Sequence, residues 1–379
     1  MPEYYADRAA LPVADGGADV HLIFRSTEHI RLLKPAANIC CFAWEFPVLK
    51  TDTLPGEHPF ANQAAMLALC DEVWTPSHYA CAVLRAHGIH NAHRIPAPVP
   101  VPAGGRGGRT AALAALSHIP AATLDINFTW PDDYQDRQAG STATTLGAWM
   151  ASHTRGRRMP TVFLSILNPE DFRKNLDAML RGFHHLRQVH ANAVLIVKVL
   201  TASSRFSLAQ AAGGVVRNKL APGTVLRDDG IAIINAYLTD EHMTLLYSLA
   251  DFYLCTSLAE GQNLPLLEAM AHGTVAVSTR TTAMDDYISP DNAFVIPTRT
   301  VANDNIHLAG AVARRPFDVS LCSARSVAET AAAALTAKPA ARAARAAAGI
   351  ATLRALYAED AVWPLLEARL THHQTPRPA

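Results

Sequence analysis

Glu260-Gly261-Gln262-Asn263-Leu264-Pro265-Leu266-Leu267-Glu268 sets two carboxylates eight positions apart around a short linker. Gly261 allows a ligand close to the backbone, Pro265 suits the first turn of a helix, and Gly273 suits the position just past its end. The first N–H groups of such a helix lack intrahelical partners and are suited to a phosphate. Glu260 and Glu268 would repel a phosphate, but they can accept hydrogen bonds from sugar hydroxyls. Two solvated glutamates would account for either residue alone. The combination of strand, Glu-Gly, Leu-Pro, Glu-Ala-Met and terminal glycine outweighs that ordinary explanation. A second candidate is Arg173-Lys174-Asn175. Two cations at a helix start oppose the macrodipole, and an arriving diphosphate would resolve the conflict. Glu170 and Asp171 offer a purely structural resolution of the same conflict.

These residues need elements to position them. Thr161 to Ile166 reads as a strand, and Lys174 to Val189 as a helix with Leu176, Leu180, Phe183 and Leu186 on one face. Ala193 to Leu200 reads as a nearly continuous apolar strand, as expected of a parallel sheet covered on both faces. The alternation continues with a strand at 231–234, a helix at 240–249, a strand at 251–255, a helix at 265–272 and a strand at 275–279. The loop before Glu260 therefore follows the C-terminal end of a strand, where open α/β sheets bind ligands. Upstream, strands are expected at 19–24, 38–43 and 72–75, with helices at 62–69 and 77–87. Ser77 is the expected N-cap of the second helix. The Pro-rich passage 95–102 and the glycines of 104–108 read as loop or linker, and 109–158 gives a weak signal. After Ser320 the chain reads as helical to Leu370, followed by a disordered tail.

The 256–273 segment resembles the Glu-x7-Glu signature of retaining GT-B glycosyltransferases of family 4. That resemblance implies two Rossmann-like domains facing a cleft, with a helical C-terminus. It implies that Glu268 holds the nucleotide ribose and Glu260 the donor sugar. Backbone amides near Gln262, Asn263 and Leu264, beside Gly261, would meet the sugar and diphosphate. This chain has Gln262-Asn263 where many members carry an aromatic residue and a glycine. The Arg173-Lys174-Asn175 loop is similar to the family's phosphate-contacting loop, but Asn168 stands where many members have a further arginine. Trp44-Glu45-Phe46-Pro47 and 70–77 resemble segments of the acceptor domain, so Glu45 is an acceptor-side candidate with a structural role equally open. His21 is a weaker candidate, better read as a satisfied histidine. The expected division is 1–158 for the acceptor side, 159–320 for donor binding and 321–379 for C-terminal helices and tail. No Gly-rich turn precedes Asp19, so an abbreviated first domain is expected.

Hexosyl transfer from a nucleotide-diphosphate sugar to a hydroxyl acceptor, with retention, is what the resemblance implies. Arg173 and Lys174 would then stabilise the departing diphosphate, which itself takes the acceptor proton. No Asp-x-Asp sequence occurs, so no metal is expected to hold that diphosphate, and no cofactor is expected besides the sugar nucleotide. A non-catalytic partner subunit or a sugar-nucleotide epimerase are the other classes compatible with this fold. Half the residues are hydrophobic and 17% charged, which excludes a disordered chain. Lys plus Arg and Asp plus Glu both total 33, so nothing points to a nucleic-acid partner. The six cysteines form no C-x-x-C pair and, with no apolar signal region before Asp19, suggest a reducing cytoplasm. Envelope or exopolysaccharide assembly, a glycan or lipid-linked acceptor and peripheral attachment at the inner membrane face complete the expectation.

Overall fold

The structure is a computed structural model that describes residues 13, 19–34, 36–58, 60–103, 107–127, 143–156, 158–169, 171–199, 225–303 and 317–374. Glu170, the glycines at 104 and 105, most of the polar run 132–145 and the expected tail lie outside the described residues.

Four strands, β1 (Val20–Ile23), β2 (Ala37–Cys41), β3 (Glu72–Thr75) and β4 (Ala92–Arg94), form a parallel sheet in that order. Parallel neighbours need crossovers, and the short helix α1 (Gln63–Leu67) and α2 (His78–Ala86) supply two of them. Ser77 caps α2 as its sequence suggests, its Oγ accepting the Ala80 N–H at 3.1 Å. Cys40, Val73, Met66, Leu67 and Leu84 fill the core of this lobe.

The larger sheet contains β5 (Pro120–Asn127), β6 (Ala143–Thr145), β7 (Thr161–Leu167), β8 (Ala193–Val199), β9 (Val225–Ile234), β10 (Phe252–Cys255), β11 (Val275–Ser278) and β12 (Ala293–Val295). Its order is β12-β11-β10-β7-β8-β9-β5-β6, parallel from β12 to β9, with β5 and β6 antiparallel. Every residue of β8 is buried, and all but the first of β7, because cores lie on both sheet faces. Helix α5 (Leu176–Val189) turns Leu176, Leu180, Phe183 and Leu186 onto one of them, as its spacing requires.

The expected boundary near 158 does not match this topology. β5 and β6 belong to the second sheet, where β5 covers the edge of β9 that would otherwise stand unpaired. Helix α3 (Arg109–Leu116) also packs on this lobe, with Arg109 donating to the Leu249 carbonyl at 3.0 Å and pairing with Asp251 at 2.9 Å. The chain therefore passes between lobes in the Pro-rich stretch after Arg94. That passage was legible as a linker, but weak strand signals in 109–158 obscured its meaning.

Two further helices of the second lobe are α6 (Asp240–Leu249) and α7 (Leu264–Ala271), after α4 (Leu146–His153). A ribbon of β13 (Arg299–Asn303) and β14 (Phe317–Leu321) follows, then α8 (Ala324–Thr336), α9 (Pro339–Leu356) and α10 (Glu359–Gln374). At Gly182 an added Cβ would sit 2.7 Å from the Ala324 carbonyl oxygen, so this glycine lets α5 and α8 approach closely. Helix α10 returns to the first lobe, where Arg369 and His373 both reach the buried Glu72. Among the described residues no helix is long and apolar enough to cross a membrane.

Candidate functional site

Glu260 sits in the turn between β10 and α7 and is 4% exposed. Its Oε1 accepts three hydrogen bonds, from Lys174 Nζ at 2.6 Å, Ser257 Oγ at 2.6 Å and Asn263 Nδ2 at 3.1 Å. Its Oε2 makes no hydrogen bond among the described residues, so one carboxylate oxygen is fixed and the other is free to accept. The main chain is gripped as firmly. The Glu260 N–H donates to Thr282 Oγ1 at 2.8 Å, and that hydroxyl donates to the Glu260 carbonyl at 3.0 Å. Thr282 has φ +51°, a conformation costly for a β-branched residue, which ties backbone strain to the placement of Glu260.

Asn263 begins α7 with φ +63°, its Oδ1 accepting the Leu266 N–H at 3.3 Å. Asparagine tolerates this left-handed conformation better than most residues, and it caps the helix as well. That is why this position accepts asparagine in place of glycine. Asn175 repeats the device on the neighbouring loop, with φ +49° and its side chain donating to the Cys322 carbonyl at 3.2 Å.

The two loops are joined by hydrogen bonds to the main chain of the Arg173-Lys174 loop. The Leu258 N–H donates to the Arg173 carbonyl at 2.7 Å, and Thr256 Oγ1 to the Lys174 carbonyl at 2.8 Å. Lys174 is thereby brought to Glu260. Arg173 points the other way, across the cleft. It binds Asp171 through Nε at 2.9 Å and a terminal nitrogen at 2.5 Å, and pairs with Glu45 of the first lobe. Asp171 therefore compensates Arg173 in the free protein, as the structural alternative allowed, while Lys174 is compensated by Glu260. Burial raises the Glu45 carboxyl above its usual range; Arg173 opposes that rise and Glu260 adds to it.

Glu268 lies one helical turn beyond Leu264, half-buried, with Oε2 accepting from the Tyr247 hydroxyl at 2.5 Å. Burial, with Glu268 beside it, pushes the Tyr247 phenol far above its ordinary value and keeps it a donor. The structure thus gathers Glu45, Arg173, Gly261 and Asn263 at the cleft, with the Lys174–Glu260 pair beside Asn263 and Glu268 further along α7.

The Gln262 side chain joins the two lobes. It accepts from the Ala97 N–H at 3.0 Å and donates to the Ala97 carbonyl at 2.7 Å, bridging the lobes as an added strand residue would. A second bridge runs from Asp286 to the His78 N–H at 2.9 Å and to Arg94 at 3.4 Å. His21 hydrogen-bonds Asn38 at 3.1 Å, a structural role. Thr282 and Tyr247 went unnoticed in the sequence because nothing in their spacing marks them, and Ser257 lies inside the 256–273 segment with no role marked there. Asn168 follows the last residue of β7, its carbonyl accepting the Asp171 N–H at 3.2 Å.

A cavity of about 630 Å³ between the lobes is lined by Glu45, Arg173, Gly261, Gln262, Asn263 and Leu264, among others. A second, of about 570 Å³, opens on the other side of Glu45, against Tyr79, Thr282, Asp286 and Asp318. Lys174 and Glu260 close on each other over only about 10 Å³.

Residues 161–314 match the family model described as Glycosyl transferases group 1. No curated protein matches the chain. Similar solved structures include sucrose-phosphate synthase from Thermosynechococcus elongatus, at 15% identity and TM-score 0.57, covering 89% of this chain and 68% of that one. The fold is GT-B. The alpha,alpha-trehalose-phosphate synthase (UDP-forming) of Burkholderia xenovorans, in complex with glucose-6-phosphate, has 15% identity and TM-score 0.55, with 90% and 69% covered. The pneumococcal O-GlcNAc transferase GtfA, in complex with UDP and GlcNAc, has 10% identity and TM-score 0.52, and this chain spans 53% of its length.

Proposed function

We propose that the chain is a glycosyltransferase moving a hexosyl group from a nucleotide-diphosphate sugar to a hydroxyl acceptor, with retention. The observation that carries this reading is the convergence of Arg173 and Lys174 with the Glu260 loop and the start of α7, beside the cleft. Both cations are neutralised there by carboxylates, Arg173 by Asp171 and Glu45 and Lys174 by Glu260. The contact between Lys174 and Glu260 leaves no room for a diphosphate to add to it. The diphosphate replaces Glu260 as the partner of Lys174, and the freed carboxylate accepts from the sugar. The acceptor oxygen bonds to the anomeric carbon, the bond from that carbon to the diphosphate breaks, and the acceptor proton passes to the leaving phosphate. Arg173, Lys174 and the N–H groups of α7 offset the charge that develops on the departing group without a metal ion. Glu268 and Tyr247 together receive the ribose. The first lobe supplies the acceptor wall, in a cytoplasmic protein of envelope or exopolysaccharide assembly.

A thermal-shift screen against UDP, GDP, ADP and their sugars tests the reading, because a ligand bound only by the folded state raises the melting temperature. One nucleotide family is expected to raise it, and its sugar to lose the glycosyl group when an acceptor is added. No shift with any of them would sink the proposal. Binding without transfer to any acceptor would leave a partner subunit, and epimerisation of the sugar without acceptor would make the protein an epimerase.

A further inference from the structure

The 630 Å³ cavity that reaches Arg173 and the Gly261–Leu264 turn is walled mainly by apolar side chains. Leu22, Phe24, Phe42 and Trp74 come from the strand ends of the first lobe, Leu264 from α7 and Leu366 from α10. Three of these rim residues are large apolar groups left open to water: Phe24 at 72%, Leu264 at 40% and Leu22 at 38% exposure. Exposed apolar groups gathered at one mouth mark a binding surface, whereas scattered ones need no explanation. Among the described lining residues Arg173 is the one lysine or arginine, and Asp171 and Glu45 already pair with it. A phosphorylated acceptor would have to share that one cation with the departing diphosphate. It would also meet the carboxylate of Glu45, whose burial already disfavours added negative charge.

We infer that the acceptor is an alcohol carrying an alkyl tail, with no phosphate on its hydroxyl-bearing head. Its head group lies against Glu45 and Arg173, and its tail leaves between Phe24, Leu264 and Leu366. The tail's membership of an acceptor rests on the glycosyl-transfer reading; the cavity's preference for alkyl chains does not. The cavity size suits a ligand of a few tens of atoms, within the usual range of about 300–1,000 Å³ for small-molecule sites.

The test is calorimetric titration of the full chain with methyl, butyl, hexyl and octyl β-D-glucopyranoside, each below its micelle concentration. Affinity is expected to rise about tenfold for each added pair of methylenes, the factor for burying that surface. Phe24→Asp, at an exposed position, is expected to weaken octyl glucoside at least tenfold and to flatten the series. An affinity independent of chain length, or an undiminished length dependence in Phe24→Asp, would overturn the inference. The nucleotide screen separates the two claims: failure of every nucleotide with an intact alkyl series would remove the transferase reading and keep the apolar cavity.

Discussion

Lys174 and Glu260 form a buried pair in which each is the other's nearest charge. Removing one partner of such a pair leaves an uncompensated charge, which costs about 3–5 kcal/mol, whereas removing both costs far less. Lys174→Ala should therefore destabilise the protein by about 3 kcal/mol, and the double variant Lys174→Ala/Glu260→Gln should recover most of that loss. Urea titration of the three proteins decides it; equal stability of the single and double variants would show that the pair is not coupled. Glu268 makes a second, separable prediction. Tyr247→Phe removes the hydroxyl that orients its carboxylate, so nucleotide affinity should fall about tenfold, the worth of one hydrogen bond to a charged group. Glu268→Ala should cost more, and unchanged dissociation constants in both variants would detach Glu268 from the ribose.

Element geometry explains why α7 carries the site. Gly273 follows the helix with φ +77°, its N–H donating to the Met270 carbonyl at 2.9 Å, so the chain turns directly into β11. Gly273→Ala should lower stability by about 1–2 kcal/mol, the cost of a left-handed L-residue, and Gly273→Asn by less. Paired thermal melts would show it, and an equal loss for both would point to packing instead. This helix was legible because Leu-Pro and the terminal glycine are local signals. So were β7, α5 and β8, whose apolar patterns are set by burial on one face or both. The positions of 120–127 and 143–145 were not legible, since these antiparallel strands, added beyond β9 at the end of the sheet, carry no such pattern. The function of Gln262 was equally hidden: its partner is a main-chain amide 165 positions away, which no spacing rule reaches. The place of Asn263 can be explained only once its backbone angle is known.

At the scale of the molecule, the lobes are tied by the Gln262 clasp, by Asp286, and by α10 through Glu72. Burial alone would raise the Glu72 carboxyl, but hydrogen bonds from Arg369, Trp74 and His373, with the charge of Arg369, outweigh it and hold it below 4.5. A carboxyl with a lowered folded-state pKa binds protons less readily than in the unfolded chain. Its contribution is thus complete above its ordinary value and disappears as pH falls through the lowered one. Glu72→Gln should be less stable than the parent at pH 7, and the gap should close as pH drops below about 4.5. A gap unchanged with pH in denaturant titrations would mean that the contact with α10 owes nothing to the charge.

The central claim is that Lys174 releases Glu260 to hold a diphosphate at the start of α7. A crystal structure with the nucleoside diphosphate chosen by the thermal screen tests it most directly. The claim predicts a phosphate oxygen within hydrogen-bond reach of Lys174 Nζ and of the first N–H groups of α7, with the Glu260 contact broken. A diphosphate bound elsewhere, with Lys174 still paired to Glu260, would contradict it.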